Sequence, residues 1–279
     1  MKVYREYESP GYWFRDLIEA AAQGNIDVVR ELADKKAGLR DINGWTALMW
    51  AAREGHTNCA NLLVEKEARM SDGYGMTALM IAASEGYTDC VKLLLEEEAG
   101  MKDVNDWTAL MWAVSECQIN CVDLLVEKEA GICARCCGTA LIIAAAKAHT
   151  YCVKLLLEKE AGMKDKDGWT ALMWAARNGH TKCANLLVEK EAGMKEKDGW
   201  TALMLAASGG HADIVKLLLE KEARLCNDAR GTAFEWAVRN GHAACAALLA
   251  DKEKDINNGR VFALAIAGDK EDIVKLFAE

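Results

Sequence analysis

Apolar positions in this chain fall into two alternating blocks, each spaced for one face of a helix. In "TALMWAAREG" (residues 46–55) the block opens behind a threonine and stops at a glycine. In "HTNCANLLVEKEA" (56–68) Cys59, Leu62 and Leu63 make one stripe before the sequence turns charged. Thr46 predicts an N-cap, because its hydroxyl can accept from a free N–H of the opening turn. Gly55 predicts the left-handed residue that ends the first helix. No stretch alternates with a period of two, so strands are at most rudimentary. Two short helices cannot bury their stripes alone, and the units are expected to stack into an α-solenoid.

The same pair recurs every 31 residues, marked by Thr46, Thr77, Thr108, Thr139, Thr170, Thr201 and Thr232. Full repeats therefore run 41–71, 72–102, 103–133, 134–164, 165–195, 196–226 and 227–257. A degenerate unit over 11–40 and a shortened one over 258–279 read as caps of a single repeat domain, 11–279, behind a tail of residues 1–10. Terminal units of such an array need a polar outer side.

The template D-x-x-G-x-T-A-L-M-x-A-A-x-x-G-H-x-x-C-V-x-L-L-L-x-x-x-A resembles the ankyrin repeat, with T-A-L-M where that family usually has T-P-L-H. The likeness covers nearly the whole chain. It implies an all-α, ankyrin-type α-solenoid of stacked helix-turn-helix repeats. The period is 31 against about 33 in the family, so shortened β-fingers are expected. Loss of the family's Pro and His removes its usual Thr–His hydrogen bond. "GWTALMWAARNGHT" further resembles the cysteine-bearing ankyrin proteins expanded in diplomonad protozoa. Without a glycine-rich loop, "HRD" or "DFG", this chain reads as an ankyrin-only member.

Composition narrows the function. Among 279 residues, 52% are hydrophobic and the formal net charge is −9, which removes the electrostatic footprint of a nucleic-acid binder. No apolar run is long enough to span a bilayer, and "MKVYREYESPGYWF" lacks the apolar core of a signal peptide. Eleven cysteines, an odd number, fit reduced thiols in a cytoplasmic protein better than a disulfide framework. No P-loop, H-E-x-x-H or G-x-S-x-G motif is present, so no enzyme and no cofactor are expected. A monomer is expected.

Repetition also supplies a control for each position. Cys59, Cys90, Cys121, Cys152, Cys183 and Cys245 share a slot with Val28 and Ile214, which marks a small apolar core position. His56, His149, His180, His211 and His242 share the slot after the inter-helix glycine, and are read as contacts between neighbouring repeats. Trp50, Trp112, Trp174 and Trp236 alternate with Ile81, Ile143 and Leu205, and are expected to be buried. A second tryptophan slot, Trp45, Trp107, Trp169 and Trp200, also accepts Met76 and Gly138 and so faces outward.

The resemblance places that slot at the entrance to a concave groove, with the last turn of the first helix beside it. Variation concentrates there, and Trp, Tyr, Met and Arg are the residue types that dominate interfaces. The candidate protein-binding strip is Trp45, Arg53, Glu54, Tyr74, Met76 and Trp107, continuing through Glu116, Trp169, Arg177, Asn178, Trp200, Arg239 and Asn240. The implied function is a non-catalytic scaffold or adaptor that binds a protein partner. The Glu/Lys-rich ends of the second helices read as a solvated convex face with local ion pairs. An alternative is a thiol- or metal-responsive sensor built on Cys133, Cys136 and Cys137, which occupy one turn between repeats. No histidine lies in that turn, so a closed four-ligand zinc site lacks a ligand, and no metal is expected.

Overall fold

The computed structural model describes residues 17–135, 137–256, 258–268 and 270–277. Residues 1–16, including the tail and the start of the N-terminal cap unit, lie outside them, as does Cys136. Among the described residues there are eighteen helices in nine antiparallel pairs, from Leu17–Ala22 with Ile26–Lys36 to Asn258–Ala267 with Glu271–Lys275. No strand forms among them. The turns between repeats contribute only isolated bridges, Ser71 to Thr77 and Ala134 to Gly138, so the fingers are indeed short. No helix among them is long and apolar enough to cross a membrane.

Each first helix begins where its threonine predicts. The Thr46, Thr77, Thr170 and Thr232 hydroxyls accept from the N–H three residues on, at 3.4 Å. The apolar slots are the core: Leu48, Leu63, Cys59 and Ala60 are 0–1% exposed, and so are their counterparts along the array. Over most of the array first helices are in more extensive contact with their neighbours than second helices are, which puts the first-helix side on the inner side of the stack. Among neighbouring first helices of the full repeats, Ala109–Ser115 and Ala140–Ala146 are in the least extensive contact.

The histidines tie one repeat to the next. His211 Nε2 lies 3.0 Å from the carbonyl of Arg177, at the end of the preceding first helix, and His180 lies 3.1 Å from that of Ala146. The glycine between them must leave room: a Cβ on Gly179 (φ +76°) would stand 2.7 Å from the His211 ring. Cys117 and Ala148 occupy this slot in two repeats and take φ values of 58° and 63°, a region that costs non-glycine residues roughly 1–2 kcal/mol. Ala148→Gly is therefore expected to stabilise the fold by about 1 kcal/mol, read as a higher urea midpoint with an unchanged slope.

The expectation for the second-helix ends needs correction. The last glutamate of each of these second helices is not solvated: Glu67, Glu98, Glu129, Glu160, Glu191, Glu222 and Glu253 are 0–1% exposed. Glu191 shows why. Its Oε1 accepts from Gly162 N–H at 2.9 Å, in the turn that closes the preceding repeat, and its Oε2 accepts from Leu172 N–H at 2.7 Å, in the first turn of its own repeat's first helix. The same two bonds recur in all seven copies, for example from Gly38 and Leu48 to Glu67. A carboxylate at a helix N-terminus satisfies orphan donors and meets the positive end of the helix dipole. One side chain thus joins three elements, in the place where the sequence lost the family's Thr–His bond.

Only the two positions before each of these glutamates lie on the outer face. There Lys128, Lys159, Lys190, Lys221 and Lys252 pair with Glu96, Glu127, Glu158, Glu189 and Glu220 of the preceding repeat at 2.7–3.0 Å. These pairs bridge repeats instead of lying along one helix, and each exposed pair contributes little.

Burial pushes the carboxyls of Glu98, Glu129, Glu160, Glu191 and Glu222 above the ordinary 4.5, partly offset by the N–H groups they accept from. A group raised in the folded state contributes stability that is complete below 4.5 and is lost as pH rises through its folded value. Thermal unfolding is accordingly expected at a lower temperature as pH rises above 4.5 and these carboxyls ionise in the folded state, with net proton release on unfolding by calorimetry.

Candidate functional site

The inner strip is assembled by the residue that opens each turn, an acid in five of the seven full repeats (Asp41, Asp72, Asp103, Asp165 and Glu196). Asp165 Oδ1 accepts from Asp167 N–H and Trp169 N–H, both at 2.9 Å, which folds the turn. Its Oδ2 accepts from Trp174 Nε1 at 3.0 Å. Asp41 does the same for Trp45 N–H at 2.9 Å and Trp50 Nε1 at 3.0 Å. In these two repeats one carboxylate sets both the entry of the first helix and the orientation of the tryptophan inside it, whereas the Trp112 and Trp236 Nε1 atoms are buried without a hydrogen-bond partner.

That geometry corrects the expectation of a buried tryptophan slot. Trp50, Trp112, Trp174 and Trp236 are half-buried, while the Ile81, Ile143 and Leu205 that alternate with them are 4–8% exposed. Each tryptophan emerges to stack on a partner from the outer slot. Ring centroids lie 5.2 Å apart for Trp45 and Trp50, and 5.0 Å apart for Trp107 with Trp112 and for Trp169 with Trp174. In the last full repeat Gly231 leaves the outer slot empty, and Trp236 stacks across the junction on Trp200 at 4.3 Å.

Arginines from the last turn lie over these rings. Arg53 Cζ is 5.6 Å from Trp45 and 5.1 Å from Trp50. Arg177 is 5.2 Å from Trp169 and 5.8 Å from Trp174, and Arg239 is 5.1 Å from Trp236. Guanidinium over indole is attractive and keeps the cation at the surface with its donors free to turn outward.

The sequence-predicted strip thus resolves into groups. Trp169, Arg177 and Trp200 line one shallow depression with Glu196, Asp198 and Leu205. Trp45 and Arg53 form a second group, with Glu54 3.8 Å from the Arg53 Nε. Trp107 stacks on Trp112, and Arg239 lies on the Trp200–Trp236 pair. Tyr74 is 72% exposed at its turn tip, apart from these groups. Met76 packs on the core, and Glu116 is exposed. Asn178 and Asn240 reach back to the Ala146 and Ser208 carbonyls at 3.1 and 2.9 Å, so they bridge repeats as well as line the strip. Trp50, Trp174, Trp236, Glu196 and Asp198 belong to the strip although the slot analysis left them out.

Both charges occur along the strip. Its last-turn positions carry Arg53, Arg177 and Arg239 in one slot and Glu54, Glu85, Glu116 and Lys147 in the next, and Glu196 and Asp198 lie beside Arg177. Such a surface can seat apolar, aromatic and charged side chains of a polypeptide. In the cysteine-rich turn, Cys133 is exposed and Cys137 half-buried. No group of three His, Cys, Asp or Glu side chains among the described residues could hold a metal ion.

A family model described as ankyrin repeats, in three copies, matches residues 17–72, 66–136, 127–198 and 188–260. No curated protein matches the sequence.

Proposed function

This chain belongs to the ankyrin-repeat family, and from that premise we propose that it is a non-catalytic cytoplasmic adaptor, a single repeat domain that holds a protein partner in its concave groove. Ankyrin repeats generally serve as protein–protein interaction modules and are typically non-catalytic. The observation that carries the finer reading is the row of half-buried tryptophan pairs on the inner side, three of them overlaid by arginine. Trp and Arg anchors in partly desolvated positions dominate binding energy at protein interfaces. The binding residues are those of the strip, Trp45 through Asn240, with Trp50, Trp174 and Trp236 behind them. Acidic and basic side chains alternate with the aromatic pairs along the strip, which favours a partner segment that carries both charges among its apolar residues.

Affinity capture with three forms of the chain tests this reading. Proteins retained by the wild type and by Tyr151→Ser, on a second helix, are expected to be lost from Trp169→Ala/Trp200→Ala. Equal retention by all three forms places the binding surface elsewhere.

A further inference from the structure

Cysteine appears once where every other repeat has glycine or alanine. The position 35 residues before each core cysteine is Gly24 for Cys59, Gly55 for Cys90, Gly86 for Cys121, Ala148 for Cys183 and Gly210 for Cys245. For Cys152 it is Cys117. This slot lies against the next repeat: a Cβ on Gly55 would stand 2.4 Å from the Tyr87 ring, and one on Gly86 would stand 2.4 Å from the Gln118 side chain, each at the start of the following second helix. The core cysteines face back toward the same turn. Cys90 Sγ is 3.3 Å from Thr57 Oγ1, and Cys183 Sγ is 3.6 Å from Thr150 Oγ1. In the third full repeat Ile119 replaces that threonine, so the hydroxyl is gone, and the Cys117 thiol is the neighbouring side-chain group that interacts with Cys152.

The two sulfurs differ in character. Cys117 is exposed and held at φ 58°, in the left-handed region. Cys152 is 0% exposed. Burial first, and then the adjacent Cys117 thiol, push Cys152 up to about 12, which leaves it protonated at neutral pH. Oxidants reach the exposed sulfur first.

We propose that Cys117 and Cys152 are joined by a disulfide when the protein meets hydrogen peroxide, closing a covalent staple between the third and fourth full repeats. Cys117 attacks one peroxide oxygen and becomes a sulfenic acid, and the other oxygen leaves as water with the thiol proton. Cys152 sulfur then displaces the sulfenic hydroxyl, which departs with the Cys152 proton as a second water. Two electrons pass from the sulfurs to one peroxide. Among the full repeats, the staple crosses the junction where neighbouring first helices are in least extensive contact, and it fixes the two halves of the groove relative to each other.

The test is peptide mapping of the reduced full chain after treatment with hydrogen peroxide, with free thiols alkylated and no reductant present. Trypsin gives one peptide spanning 103–128, with Cys117 and Cys121, and another spanning 148–154, with Cys152. The expected product is these two peptides linked, with fragmentation placing the bond on Cys117. The link should be lost in both Cys117→Ser and Cys117→Gly, the second of which restores the residue this slot has in most repeats and keeps the fold. A link that persists in Cys117→Gly overturns the proposal. So does Cys117 recovered only as sulfinic or sulfonic acid, or bonded to another cysteine.

Discussion

Glu191→Ala is expected to lower the stability of the chain by about 4 kcal/mol, since it strands one buried and one part-buried backbone donor at roughly 1–3 kcal/mol each. Those donors are Gly162 N–H and Leu172 N–H, which sit in different repeats. The loss therefore falls on the junction itself, where a solenoid holds its cooperativity. Urea unfolding followed by circular dichroism should show an earlier midpoint and a transition split into two parts. Glu191→Gln keeps one acceptor but turns an amide N–H₂ toward the other donor, and should recover less than half of the loss. A single transition with an unchanged midpoint in Glu191→Ala would mean that the carboxylate is dispensable.

Trp169→Ala with Trp200→Ala is expected to weaken the partner complex about 100-fold or more, from two anchors at roughly 1.4 kcal/mol or above each. Each substitution removes an aromatic face and one half of a stacked pair, leaving Trp174 and Trp236 without the rings they lean on. Most of the change should appear in the dissociation rate, read by surface plasmon resonance with the captured partner. Arg177→Ala alone should give a smaller loss that shrinks with added salt. An unchanged affinity in the double variant, with helicity intact, would remove these rings from the interface.

The array was legible because its core slots repeat almost letter for letter. Leu48, Leu63 and Cys59 and their counterparts define two helices and a 31-residue period before any coordinates are considered. The buried glutamates were not legible from composition, because E-K-E-A reads as a solvated helix end. Yet the signal was there: the first position becomes Asp251 and the second Glu97, while the third is Glu in all seven copies. A surface position has no reason to be so constant.

The tryptophan slots misled in the opposite way. Alternation of Trp50 with Ile81 and Ile143 suggested a core site, but pairing with Trp45 arises only once the Asp41 turn folds back on the helix. The proximity of Cys117 to Cys152 likewise depends on the stacking of successive repeats, since 35 residues of chain separate them.

The most direct test of the adaptor account is hydroxyl-radical footprinting of the chain with and without its captured partner. Oxidation of Trp45, Trp107, Trp169 and Trp200 is expected to fall several-fold in the complex, while that of Tyr151 on the second-helix side, 53% exposed, stays unchanged. Protection of Tyr151 with no change at the four tryptophans would contradict the groove as the binding surface.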